Sequence, residues 1–420
     1  MYKIHTLQNG LTLITINLPH LESVTTLIAV GAGSRYETRA TNGISHFLEH
    51  MFFKGSKKYP SAEQIASIVD GIGAVNNAAT DKEITYYWIK SAAKHVELAS
   101  DILSSQLKES LFDQREIEKE KGVIVEEIRM YLDMPSRYVW DLYEELQFGD
   151  QPLGWQIAGD EKTVKTFKRQ DFLDYMKQFY RADNMALVYV GNLPDDIESL
   201  GEKYFGGLPK GAQASFLPYH RLSQDEPRVH IFNKATDQVN LVLGVEGYDR
   251  IDDRRFAARL LGTILGEGMS SRLFMEVREK RGLAYHVSAS HSSYHDAGVL
   301  TAFAGIKVEK LIEGIGVIRE ELEKTTKKAV SKAELEKAKE MERGRLALRS
   351  ESTNFLAEHF GTKFVLDREL ETFEDYLKKI DKVTTDDIQQ VAIDLFKPQK
   401  YNLEMIGPIG DPEKFKELLK

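Results

Sequence analysis

The 420-residue chain contains no cysteine. Disulfides, thiolate-ligated zinc, iron–sulfur clusters and cysteine nucleophiles are therefore excluded, and any metal must be held by histidine, carboxylate or carbonyl groups. No run of about 18 apolar residues occurs, so no membrane-spanning helix is expected. The opening MYKIHTLQNGLTLITINL lacks a basic segment followed by an apolar core, which predicts no signal peptide and a cytoplasmic protein. Basic excess is absent too: 56 Lys and Arg face 65 Asp and Glu, a net charge of −9. Nucleic acid and anionic membranes are therefore poor first candidates as partners. What remains is an ordinary globular composition, 42% hydrophobic and 29% charged, long enough for two or three domains.

The chain repeats itself once. The segment from Val24, VTTLIAVGAGSRYE, matches QVNLVLGVEGYDR from Gln238; Arg115–Lys121 matches Ala333–Lys339; Met185–Gly191 matches Tyr401–Gly407. The three offsets, 214 to 218, keep one order, which predicts a duplicated domain of about 210 residues. A first domain over 1–205 and a second over 228–420 are expected, joined by the Gly-, Pro- and polar-rich linker 206–227. Asn9-Gly10 predicts a tight turn between two strands. Ile84–Lys90 and Ala186–Gly191 read as strands, and His95–Leu107, Asp113–Tyr131 and Arg169–Phe179 as helices. Strands and helices do not alternate regularly, so the expected class is α+β with a largely antiparallel sheet in each domain.

Residues 46–50 read His-Phe-Leu-Glu-His. On a helix His46 and His50 share a face at i and i+4, so their imidazoles can meet one zinc ion, with Glu49 beside it to take a proton from water. Phe47, Leu48, Met51 and Phe52 predict a buried helix, and ionisable groups buried there are costly unless they bind something. Asn42 or Ser45 is the expected helix cap. A zinc site needs a third protein ligand, and 116–129 is rich in glutamate. Glu120 and Glu127, two turns apart, lie on nearly one face, and Glu126 points about 100° away from Glu127. Spacing alone leaves the ligand among these open. The positions of the second half that match 46–50 fall in Arg259–Ile264, without His or Glu, so only the first half can hold this metal. His286, His291 and His295 read as strand and hairpin residues.

The HFLEH motif, followed after 76 intervening residues by Glu127, resembles the pitrilysin/insulinase inverzincin metallopeptidases, nearest to their mitochondrial-processing-peptidase-like branch. The resemblance runs over the whole chain, including the duplication. It implies one zinc per chain on His46, His50 and Glu127, Glu49 as general base, and Glu120 as a supporting carboxylate. Asn76–Asp81 resembles the family's edge strand, which places Asn77 and Ala78 against substrate backbone. Arg278 and Tyr285, seven apart, resemble an Arg/Tyr pair that enters the active site from the C-terminal half. The implied activity is zinc-dependent hydrolysis of extended peptides or unfolded segments in a chamber closed by a homodimer. The alternatives are a non-catalytic assembly subunit, or the catalytic subunit of a heterodimer with an inactive paralogue.

Overall fold

The computed structural model describes residues 2–212 and 214–420. Its first sheet contains β1 (Lys3–Thr6), β2 (Thr12–Asn17), β3 (Ser23–Val30), β4 (Val75–Thr80), β5 (Thr85–Ala92) and β6 (Met185–Gly191), in the order β1-β2-β6-β3-β5-β4. The second contains β7 (Arg228–Asn233), β8 (Val239–Glu246), β9 (Ala284–Ser293), β10 (Gly298–Ile306) and β11 (Asn402–Gly407), in the order β7-β11-β8-β10-β9. Apart from β1, the two orders superpose strand for strand. In both, one pair is parallel, β2 with β6 and β7 with β11, and the others are antiparallel. The duplication read from three short matches is thus a duplication of sheet topology, and the α+β class with largely antiparallel sheets holds. Asn9-Gly10 turns β1 into β2, with Gly10 at φ +90°.

The central strands are buried on both faces, which is why β6 reads as a continuous apolar run and not as an alternation. On one face of β3 and β6 lies the helix Thr353–Asp367. Its Gly361 approaches Leu27, Ala29 and Val188, and Thr25 donates to Asn354 Oδ1 at 2.8 Å. On the opposite face Tyr189 meets Ser100 of the helix Val96–Glu109 through hydroxyls 2.7 Å apart. In the second sheet, Leu241, Leu243 and Val245 share a core with the helix Arg255–Gly266. Val242 and Ile406 face the other way, onto Tyr138, Val139 and Leu142 of the helix Pro135–Phe148.

Each sheet therefore takes one covering helix from the other half of the sequence. One compact unit comprises Met1–Arg129, Trp155–Leu217 and Ala347–Thr372; the other comprises Met130–Gly154, Pro218–Leu346 and Phe373–Lys420. The division expected at 206–227 thus needs two exceptions, 130–154 and 347–372. The physical reason is that a sheet buried on both faces needs a second apolar helix, and here the partner half supplies it.

The tightest helix–strand approach in the second unit is at Gly266, where an added Cβ would stand 1.8 Å from Ala289 N. Gly266→Ala is expected to lose about 3 kcal/mol or more through overpacking. Gly316→Ala, in a helix with open space at that position, should be neutral or stabilising by about 0.5–1 kcal/mol. Urea unfolding of the two variants checks this.

Candidate metal centre

The motif helix runs from Ile44 to Phe52 and buries Phe47, Leu48, Met51 and Phe52. Phe52 stacks on Tyr87 of β5, and Phe47 packs edge-on against Phe172. These contacts fix which side of the helix carries the ionisable residues. His46 and His50 lie one turn apart with ring centroids 4.7 Å apart. The second long helix, Gln114–Leu132, brings Glu127 to them: its carboxylate is 3.7 Å from His46 Nε2 and 3.4 Å from His50 Nε2. Glu126 points outward and pairs with Arg129 at 2.8 Å. The geometry therefore brings Glu127, and not Glu126, to the two histidines. Among the described residues, His46, His50 and Glu127 form the one group of His and carboxylate side chains able to share a metal ion, with ligand atoms all within 4.8 Å.

The donor chemistry fits zinc. Burial, with the His50 charge adding to it, lowers His46 to about 4, so its ring is neutral and offers a lone pair. His50 is the opposite case. Burial would lower it, but hydrogen bonds to Glu120 and Glu127 and the charges of both raise it to about 9. In the metal-free protein a proton on His50 thus supplies the positive charge between two carboxylates, and a metal ion taking its place would release that proton. Glu120 is 4% exposed and accepts from His50 Nδ1 at 2.9 Å. Its other oxygen pairs with Lys54 at 2.5 Å. Burial works against the Glu120 charge, but His50 and Lys54 outweigh it and hold the carboxyl below its ordinary range. Were His50 to hold a metal, a carboxylate on its other ring nitrogen would fix its tautomer and ring orientation.

Glu49 projects beside the cluster. Its Oε2 accepts from Thr80 Oγ1 at 2.6 Å, and burial raises its carboxyl above the usual value against that hydrogen bond. Thr80 ends β4, the edge strand that also carries Asn77 and Ala78. Among the described residues β4 pairs with β5 alone, so its other edge is unpaired there. Asn77 Oδ1 accepts from the Ala78 N–H at 2.9 Å.

The first turn of the motif helix differs from expectation. Gly43, at φ +96°, occupies the cap position, and neither Asn42 nor Ser45 caps the helix with a side-chain acceptor. Both donate to Glu37 instead. Arg278 and Tyr285 lie together in the second unit: Arg278 Nη1 donates to the Tyr285 carbonyl at 2.9 Å, and its guanidinium lies over the Tyr285 ring at 4.5 Å. Tyr285 is 76% exposed. His291 is a buried strand residue whose Nε2 accepts from the Tyr248 N–H at 3.2 Å. The helix matching the motif helix, Arg255–Gly266, is almost wholly buried and presents no ligand. Sequence reasoning missed Glu37, Lys54 and Thr80. Only Thr80 carried a signal, as a member of the Asn76–Asp81 segment.

Two histidines, a carboxylate facing them and a second carboxylate alongside form a donor set of the kind that can hold a zinc ion, here on a duplicated α+β fold. Comparison with known proteins specifies the family. Residues 12–161 match the model of insulinase (peptidase family M16), and residues 166–342 match that of the peptidase M16 inactive domain. A Bacillus subtilis protein named uncharacterized zinc protease YmxG is 37% identical over 98% of this chain and 99% of its own length. The crystal structure of a protease from Helicobacter pylori superposes with a TM-score of 0.89 at 24% identity, covering 97% of this chain and 99% of that one. A structure described as the peptidase M16 inactive domain from Pseudomonas fluorescens gives 0.89 at 19% identity, covering 98% and 99%. The chain belongs to the M16 (insulinase) peptidase family.

Because Glu127 faces the histidines and Glu126 faces solvent, Glu127→Gln should weaken zinc binding at least about tenfold more than Glu126→Gln. Competition with a chelating dye measures both. Equal affinities would show that a different carboxylate completes the site.

Proposed function

We propose that this chain is a zinc-dependent endopeptidase that hydrolyses extended peptides or unfolded segments, with one zinc per chain on His46, His50 and Glu127. The observation that carries this reading is the Thr80–Glu49 hydrogen bond, which ties the carboxylate beside the metal cluster to a sheet edge that is free to pair. An extended substrate adding to β4 would lie along the strand that holds the base. Asn77 Oδ1 now occupies the Ala78 N–H and would yield to a substrate carbonyl. When bound, zinc would polarise the scissile carbonyl and make water nucleophilic near neutral pH. Glu49 takes the proton of that water and passes it to the leaving amine. A carboxyl raised by burial suits both steps, since it binds a proton more readily than a solvated one. Glu120 and Lys54 keep His50 oriented.

The substrate side of the site is read as completed by a second copy of the chain. The unit with the zinc cluster has no counterpart of Arg278 and Tyr285, and the unit with that pair has no metal ligands. Tyr285 can donate to a developing oxyanion and Arg278 can hold a substrate carbonyl. A closed two-fold homodimer would bring each pair to the partner's zinc. Among the described residues no helix is long and apolar enough to cross a membrane.

The non-catalytic alternative draws on the match of residues 166–342 to the peptidase M16 inactive domain. Glu49→Gln separates the two readings. Zinc should be retained and cleavage of a quenched flexible peptide should fall by about 10²-fold or more. Wild-type protein that binds zinc and cleaves no flexible peptide would favour the non-catalytic role. Stable folded domains should resist cleavage throughout.

For the dimer, a Glu49→Gln chain mixed with an Arg278→Ala chain should regain partial activity as heterodimers form, each with one intact site. An active monomer by light scattering, or no rescue after proven subunit exchange, rules this arrangement out.

A further inference from the structure

The motif helix has no cap of its own, and its entry is held from outside by one buried carboxylate. Glu37 Oε1 accepts from the Ser45 N–H at 2.8 Å and from Ser45 Oγ at 2.6 Å. Glu37 Oε2 accepts from the Gly43 N–H at 2.8 Å and from Asn42 Nδ2 at 3.0 Å. Since the Ser45 hydroxyl proton goes to Glu37, the Tyr175 hydroxyl donates in turn to Ser45 Oγ at 2.7 Å. Asn42 Nδ2 also reaches the Gln156 carbonyl at 3.0 Å. The backbone has no room to adjust, because a Cβ on Gly43 would stand 2.6 Å from the Ala158 carbonyl oxygen. Both Glu37 oxygens thus face donors only. Glutamine cannot reproduce this pattern, because its NH₂ would have to point at other N–H or O–H groups.

Ser45 immediately precedes His46 and lies one turn before Glu49. A change at its hydrogen bonds turns both residues about the helix axis. The other end of the helix is fixed by His50 and Lys54 on Glu120. Two carboxylates, one from the loop before the helix and one from a different helix, therefore set its rotation. Resting on the metallopeptidase reading above, we infer that Glu37 is a positioning residue of the metal centre, which clamps the first turn of the motif helix so that His46 and Glu49 stand in register with His50 and Glu127. Burial raises Glu37 to about 7 against the hydrogen bonds of Ser45, Gly43 and Asn42, so measurements above pH 8 see the ionised clamp.

The test uses Glu37→Gln and Ser45→Ala, with Gly361→Ala as a control. Gly361 lies in the same unit, where an added Cβ would stand 3.0 Å from Leu27 and 3.2 Å from Ala29 and Val188, so its substitution acts on the sheet packing. Zinc affinity by chelator competition, thermal unfolding of the metal-free protein, and kcat and KM on a quenched peptide are measured at pH 8.5. Glu37→Gln should weaken zinc about 10–100-fold and lower kcat about 10–100-fold, with KM within about threefold. Ser45→Ala should shift both in the same direction by less. Gly361→Ala should leave zinc affinity and kcat in place whatever its effect on the melting temperature.

If Glu37→Gln does not fold, Ser45→Ala decides alone: unchanged zinc affinity overturns the inference. The inference also fails if Glu37→Gln binds zinc and turns over like wild type, or if Gly361→Ala loses zinc as far as Glu37→Gln at equal destabilisation. Wild-type protein that binds zinc and cleaves nothing defeats the peptidase reading, while the zinc affinities still decide the role of Glu37. A wild-type chain that binds no zinc defeats both.

Discussion

The Ile44–Phe52 helix has to carry two histidines and a glutamate along a surface whose other side is an apolar core, and the site follows from how that burden is met. Ionisable groups taken out of water cost several kcal/mol each unless they are neutralised or paired. Each of the three is handled differently. His46 is neutral, its pKa lowered to about 4 by burial. His50 keeps a proton because Glu120 and Glu127 flank it. Glu49 leans on the Thr80 hydroxyl and has its proton affinity raised. In the metal-free protein the His50 proton couples stability to pH. A histidine whose folded pKa is about 9 contributes stability that is fully present below its unfolded value of 6.5 and is lost as pH rises through 9. Zinc would occupy the place of that proton, so the cluster is held together in either state.

Duplication explains why the same fold carries this burden once only. The two sheets share strand order and the direction of every corresponding pair. In the first, the helix after the third strand is partly exposed along one stripe, and His46, Glu49 and His50 occupy it. In the second, the equivalent helix Arg255–Gly266 is enclosed by its own core, from Leu260 to Leu265. A helix buried that completely has no side on which three ionisable groups could meet an ion and remain reachable by a substrate. The second unit thus keeps the scaffold and carries different polar groups, Arg278 in the helical turn Phe274–Glu279 and Tyr285 at the start of its edge strand β9.

What was legible in the sequence is what local periodicity encodes. The i, i+4 spacing placed His46 and His50 on one face, two-turn spacing placed Glu120 and Glu127 on another, and the duplicated apolar runs marked corresponding strands. The resemblance, not the spacing, singled out Glu127. Partners brought in by tertiary packing left no such trace. Glu37 stands nine residues before His46 in a loop, and no spacing rule connects a loop glutamate to a helix cap. Lys54 lies past the helix end, and no spacing rule connects it to Glu120, 66 residues later. The exchange of 130–154 and 347–372 was invisible for a related reason: an amphipathic helix shows which face it buries, and nothing in its own residues says which sheet receives it.

Thr80 shows how the fold couples recognition to chemistry. It stands at the end of β4, directly opposite Thr85, where the β4–β5 pairing closes. Its side chain therefore lies on the same face of the sheet as that of Ala78, two residues earlier, and this is the face on which the motif helix packs. One hydroxyl thereby links a helix that carries ionisable groups to a strand whose outer edge offers backbone donors and acceptors. A movement of β4 along its own direction would be felt at Glu49 Oε2 through a 2.6 Å hydrogen bond. The strand edge and the partly buried carboxylate thus share one packing layer, in which Phe52 of the motif helix contacts Tyr87 of β5 and Tyr180.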